Sequence, residues 1–159
     1  MIKRELTKFS LLFLLMGAKL ATAETFFLQD NGSDGIVTIE AESFHGNVPK
    51  TYQETALNWT LVNDGADSRE KGMPVLPNAG KSRNSGYATR MPRLDFKVRF
   101  VKTGTHYVWL RGIGPDGGSD SAHVGLNQTE LSTADRIKVD SSTHSTWENL
   151  TMDSNSKAT

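Results

Sequence analysis

Beyond residue 23, hydrophobic positions in this chain alternate with polar ones over short stretches and never settle into the 3.6-residue period of an amphipathic helix. The clearest stretch is residues 93–101 (RLDFKVRFV). There Leu94, Phe96, Val98 and Phe100 fall on one face, expected inward, and Asp95, Lys97 and Arg99 on the other. A turn is predicted at 102–104, followed by a strand over 105–113 (THYVWLRGI). Tyr107 and Trp109 lie two apart in that strand and so share one side, in the core or on the sheet face. Earlier, 25–29 (TFFLQ) reads as an opening strand. Residues 36–42 (IVTIEAE) read as a β-branched strand with Ile39 and Ala41 on one side and Glu40 and Glu42 on the other. Short strands are predicted at 59–63, 73–76, 121–126 and 136–139. Pro74 and Pro77 make the second of these an edge strand or an extended connector. Between the strands, 30–35, 63–72, 78–87 and 114–120 have loop composition. Many short strands separated by turns predict an all-β domain, a β-sandwich.

The front of the chain breaks this pattern. Lys3, Arg4 and Lys8 precede a short apolar run at 9–18, and Ala21-Thr22-Ala23 forms a small-residue A-x-A site. That order predicts a secretory signal peptide, residues 1–23, cleaved after Ala23. The mature domain is then 24–159, secreted to an extracellular or periplasmic location and without a membrane segment. The balanced charge of 18 basic and 18 acidic groups changes with it. Losing the leader's four cations and one glutamate leaves 14 basic and 17 acidic groups, a net charge of −3. A mildly acidic domain has no basic surface for nucleic acid. The chain has no cysteine, which excludes disulfides, zinc–cysteine sites, iron–sulfur ligation and thiol nucleophiles. There is no phosphate-binding loop, no HExxH and no GxSxG elbow, and no carboxylate pair that the sequence places at glycosidase spacing. The domain is therefore expected to be non-catalytic.

Taken in order, IEAE (residues 39–42), a loop tryptophan (Trp59), MPVLPN (73–78), PRLDFKVRFVKTGTHYVWLRG (92–112), SDSAHVGLN (119–127), DRI (135–137) and WENLTMD (147–153) form a set. As a set they resemble the β-sandwich carbohydrate-binding modules of families six and thirty-five. The resemblance covers about residues 26–153. It implies a jelly-roll-like sandwich that docks on a polysaccharide or oligosaccharide and targets an attached or partner glycan-degrading enzyme. Such modules end in further strands, so the chain is expected to be a module lacking its last strands. Two other readings stay open. One is the N-terminal fragment of a glycoside hydrolase or polysaccharide lyase; the other is a structural or adhesive surface domain.

Glu40 and Glu42, on one face of a strand, would repel each other unless a cation or proton intervened. The resemblance implies that this pair helps to hold a structural calcium; the alternative is two solvated glutamates. Sugar recognition calls for flat apolar rings with polar edges. Tyr52, Trp59, Tyr87 and Trp147, in loops or at strand ends, are the candidates, with simple packing as the alternative for each. Arg90 and Arg93 flank the loop before the clearest strand. An arginine there could take a uronate or sulfate bidentately, and Arg90 is the candidate carried forward.

Overall fold

The computed structural model describes residues 24–63, 71–139 and 145–159. The signal peptide read at 1–23, most of the loop read at 63–72, and His144 lie outside the described residues. The described chain is all-β, as its alternation predicts. It contains one single-turn helix, Tyr87–Arg90, and two short 3-10 turns, Ala41–Ser43 and Ser132–Ala134. Among the described residues the strands pair in seven small ladders, six of two strands and one of three.

Two hairpins follow directly from local backbone preference. Lys50–Tyr52 pairs with Thr55–Trp59 across Gln53 and Glu54, whose φ values of 45° and 65° are both left-handed. Gly125–Leu126 pairs with Thr129–Glu130 across Asn127 and Gln128, at 50° and 62°. Two successive left-handed residues give a two-residue turn whose twist matches that of the flanking strands. Val75–Leu76 adds to the outer side of Thr55–Trp59 and is the edge of the three-stranded ladder. Its flanking prolines suit that place, since an edge has backbone groups that need no partner.

The strand read over 93–101 divides in two. Arg93–Asp95 runs antiparallel to Gly46–Val48, and Val98–Arg99 runs parallel to Phe27–Leu28. Between them the Lys97 N–H bonds to His45 Nδ1 at 3.1 Å instead of to a strand. Changing partners twists the chain, so Leu94 and Val98 are half-buried while Phe96 and Phe100 remain exposed. The strand expected at 36–42 does not form. No neighbour offers it a ladder, and the Ser43 N–H closes a tight turn onto the Glu40 carbonyl at 2.9 Å. The segment 121–126 also divides, into Ser121–Ala122, paired with Ile137–Lys138, and Gly125–Leu126.

The opening strand is held by one buried side chain. Gln29 is 3% exposed. Its Oε1 accepts from the N–H groups of Val101 and Lys102, each at 3.0 Å, and its Nε2 donates to the Gly35 carbonyl at 2.7 Å. The Lys102 ammonium reaches the carbonyls of Gly32 and Ser33 from the same side. Loop 30–35 is thereby tied to the turn at 102–104.

The apolar core lies in the other half of the chain. Ala134, Ile137 and Ala158 are fully buried, and Val108, Leu110, Val124 and Leu131 pack against them. Ala158 joins two segments: its N–H donates to the Asn149 carbonyl at 2.7 Å, and its carbonyl accepts from the Val108 N–H at 3.0 Å. With Val108 and Leu110 turned to this cluster, the alternating positions 107, 109 and 111 face away from it.

Candidate functional site

Leu110–Gly112 pairs antiparallel with Thr146–Glu148, with Arg111 opposite Trp147. Directly opposed residues project from the same face, so Trp147 joins Arg111 on the side away from the core, and Tyr107 and Trp109 precede this strand with their rings exposed. The three rings are 56%, 53% and 54% exposed for Tyr107, Trp109 and Trp147. The Lys157 ammonium sits 5.7 Å from the Tyr107 ring centroid. Of these aromatics, the sequence reading selected Trp147 for the site and assigned Tyr107 and Trp109 to core or sheet face. The structure exposes all three; of the strand expected over 105–113 only Leu110–Gly112 forms, so Tyr107 and Trp109 precede the strand that pairs with Trp147. The alternation of 107–110 separates Tyr107 and Trp109 from Val108 and Leu110 but does not by itself say which pair faces the core.

A second surface forms around the helix Tyr87–Arg90. An open groove of about 550 Å³ is lined by Arg83, Ser85, Thr89, Arg90, Gln128 and Glu130, among others. The Arg83 guanidinium lies 5.6 Å from the Tyr52 ring centroid, and its Nε donates to the Ser85 carbonyl. Arg90 comes from the far end of the helix. Arg83 went unmarked in the sequence reading because it sits inside a loop of ordinary composition. Arg93, also flanking this region, is engaged elsewhere, pairing with Asp95 at 2.8 Å.

Tyr87 lies beside this groove but inside the fold, 7% exposed. Its hydroxyl accepts from the Leu131 N–H at 3.2 Å, and its ring stacks on His123 with centroids 4.2 Å apart. Burial raises its phenol above the usual pKa, against the opposing pull of the Leu131 backbone. Trp59 is half-buried. Its Nε1 donates to the Pro92 carbonyl at 3.0 Å, and its own carbonyl accepts from Asn47 Nδ2 at 2.8 Å. The structure therefore brings Arg90 to the groove, sets Tyr52 against Arg83 of its lining, packs Tyr87 behind it, and leaves Trp147 exposed on a separate surface.

Glu40 is exposed on extended backbone, and Glu42 is half-buried in the 3-10 turn that follows. They do not share a strand face. Two carboxylates offer four oxygens, fewer than the roughly six to eight that calcium takes. Among the described residues no group of three or more His, Asp or Glu is arranged to hold a metal.

No protein-family model matches the chain, and no solved structure matches it. A stretch of 116 residues is 26% identical to a protein of Formosa agariphila described as Uncharacterized protein P23. The match covers 60% of this chain and 28% of that protein, so the chain spans less than a third of the curated relative it resembles. No helix among the described residues is long and apolar enough to cross a membrane.

Proposed function

We propose that this is an exported, non-catalytic carbohydrate-binding domain of sandwich type, akin to the modules of families six and thirty-five, which docks on a polysaccharide through its aromatic face. The observation that carries the reading is the exposure of Tyr107, Trp109 and Trp147 together with the pairing that sets Trp147 opposite Arg111, two residues after Trp109. Rings of this kind give large, rigid contact area at little cost in side-chain entropy, and their polar edges reach hydroxyl groups. Arg111 and Lys157 add donors at the same surface. Docking would hold an attached or partner glycan-degrading enzyme at high effective concentration on its substrate.

Calorimetry against a panel of soluble polysaccharides tests this. At least one should bind, and Trp109→Ala and Trp147→Ala should each weaken binding about tenfold, the equivalent of about 1.4 kcal/mol. A folded sample that binds no glycan sinks the proposal. Calcium belongs to the proposal as a structural ion for which Glu40 and Glu42 would be two of the ligands and the rest would have to come from elsewhere. A melting temperature unmoved by millimolar calcium removes the ion from the proposal.

A second reading, a surface domain that contacts proteins, is favoured by a different observation. Leu28, Ile36 and Val101 are exposed along an open groove of about 700 Å³, and Phe100 is exposed next to Val101. Exposed apolar clusters of this kind mark contact surfaces. A folded parent that binds no glycan but binds a protein partner, with that binding lost in Ile36→Ser and kept in Trp109→Ala and Trp147→Ala, would favour it.

A further inference from the structure

Arg83 and Arg90 converge on Gly86. That glycine has φ 72°, and a Cβ placed on it would sit 3.1 Å from both Arg83 Nε and Arg90 Cδ, and 3.3 Å from Arg83 Nη2. Both side chains thus close over one point of backbone that only glycine leaves open. Among the described residues neither arginine is in an ion pair with a carboxylate. Arg83 is held in place from behind by the Tyr52 ring and the Ser85 carbonyl. Arg83 presents its guanidinium and Arg90 its side-chain stem over this point, and an oxyanion held above Gly86 would meet charge-assisted donors from both arginines.

The facing wall adds a second requirement. Glu130 lines the groove, and its buried Oε1 has no hydrogen-bond partner. A buried carboxylate oxygen without a donor is costly. It would also repel a bare anion. Gln128 and Ser85, on the same lining, offer neutral donors and acceptors. A ligand that suits both walls carries one anionic substituent on one side and hydroxyl donors on the other.

We infer that the groove over Gly86 binds an anionic sugar unit of a polysaccharide, with its carboxylate or sulfate group held between Arg83 and Arg90 and its hydroxyls turned to Glu130. This rests on the carbohydrate-binding reading and names its substrate class. The groove shares no residue with the aromatic face, so the two can be tested apart. A uronate and a sulfate ester present the same oxyanion chemistry to arginine, and the probes distinguish them.

The full chain is titrated with an unsubstituted β-glucan, a polyuronate and a sulfated galactan at fixed ionic strength. One or both charged polymers should bind at least tenfold more tightly than the neutral one, with the difference shrinking as salt rises. Binding of the polyuronate alone identifies a carboxylate ligand, and binding of the sulfated polymer alone identifies a sulfate ester. Arg83→Gln and Arg90→Gln should each lower charged-polymer affinity about tenfold, as loss of one charge-assisted contact implies. Arg90→Lys should recover part of that loss, because it restores the charge without the planar fork. Circular dichroism confirms that each variant is folded. Equal affinity for charged and neutral polymers overturns the inference, as do folded glutamine variants that bind charged polymer like the parent. If neutral-glycan binding falls in Trp109→Ala while the arginine variants are silent, only this inference fails. If the chain binds no glycan, the proposed function fails with it.

Discussion

Replacing Gln29 with leucine removes three hydrogen bonds while nearly conserving side-chain size. The Gln29 amide orientation is dictated by its surroundings, with two N–H donors meeting Oε1 and one carbonyl meeting Nε2. Each such bond is worth about 1 kcal/mol net, and more where its partner is left buried and alone. The three partners are only partly buried, so water satisfies some of what leucine abandons, and leucine regains about 1 kcal/mol by burying its own methyl groups. The expected loss is about 2 kcal/mol, a large share of the 5–15 kcal/mol typical of a domain. Gln29→Glu separates the two halves of the network. At neutral pH it still accepts from Val101 and Lys102 but no longer donates to Gly35. Its new charge also lies near Lys102, since Gln29 Nε2 and Lys102 Nζ are both within 3.4 Å of one point above Gly35. Its cost should be about 1 kcal/mol or less. Urea unfolding followed by tryptophan fluorescence measures both variants through the shift in midpoint at constant slope. A leucine variant within 0.5 kcal/mol of the parent by order of magnitude, or a glutamate variant less stable than the leucine one, would refute this account of how the opening strand is held.

Three further outcomes are expected. Tyr87 ionises near pH 10 in the unfolded chain and higher in the folded one. The unfolded state then loses its proton first, so stability should fall as pH rises above about 10; Tyr87→Phe should remove that slope while costing about 1 kcal/mol at neutral pH through the lost Leu131 contact. Changing Gln53 and Glu54, both left-handed, to Asn and Gly should raise stability by about 0.5–1 kcal/mol in thermal or urea unfolding, because that pair adopts the turn with less strain. Trp109→Ala should change unfolding free energy by less than about 1 kcal/mol, since half of the ring is already in water, and a larger loss would mark it as a core residue.

The sequence was most legible where local chemistry decides. The 73–76 piece contains the edge strand Val75–Leu76, the 136–139 piece contains the strand Ile137–Lys138, and 30–35 is a turn-rich loop, because each depends on a few neighbouring residues. It was least legible where a distant partner decides. Residues 36–42 carry the β-branched composition of a strand, yet a strand needs a ladder, and no alternation rule reveals that none is offered. Residues 93–101 alternate strictly, but the change of partner at Phe96 and Lys97 depends on where Phe27 and Gly46 lie. The helix Tyr87–Arg90 is a single turn, too short for any periodicity to register. It nevertheless buries Tyr87 and places Arg90 near Arg83, which separated two candidates that looked alike as loop residues.

The outward position of the aromatic rings is itself a physical clue. Burial free energy scales with apolar area, at about 25 cal/mol per Å². On area alone, the parity of 107–111 should favour Tyr107 and Trp109 inside and Val108 and Leu110 outside, because the rings are larger. The chain adopts the opposite parity. The reason lies in the space on the inner side, where two of the three fully buried residues, Ala134 and Ala158, are alanines. The Ala158 backbone is also hydrogen-bonded to both Val108 and Asn149, which brings main chain close to the inner side. Close packing penalises an oversized side chain as it does a void. A core built for valine and leucine thus excludes the rings by size, and a sequence selected only for stability would have little reason to keep large aromatics at the positions so excluded. Their exposure, with Trp147 brought opposite Arg111 from a strand more than thirty residues away, is the feature on which the proposed binding rests.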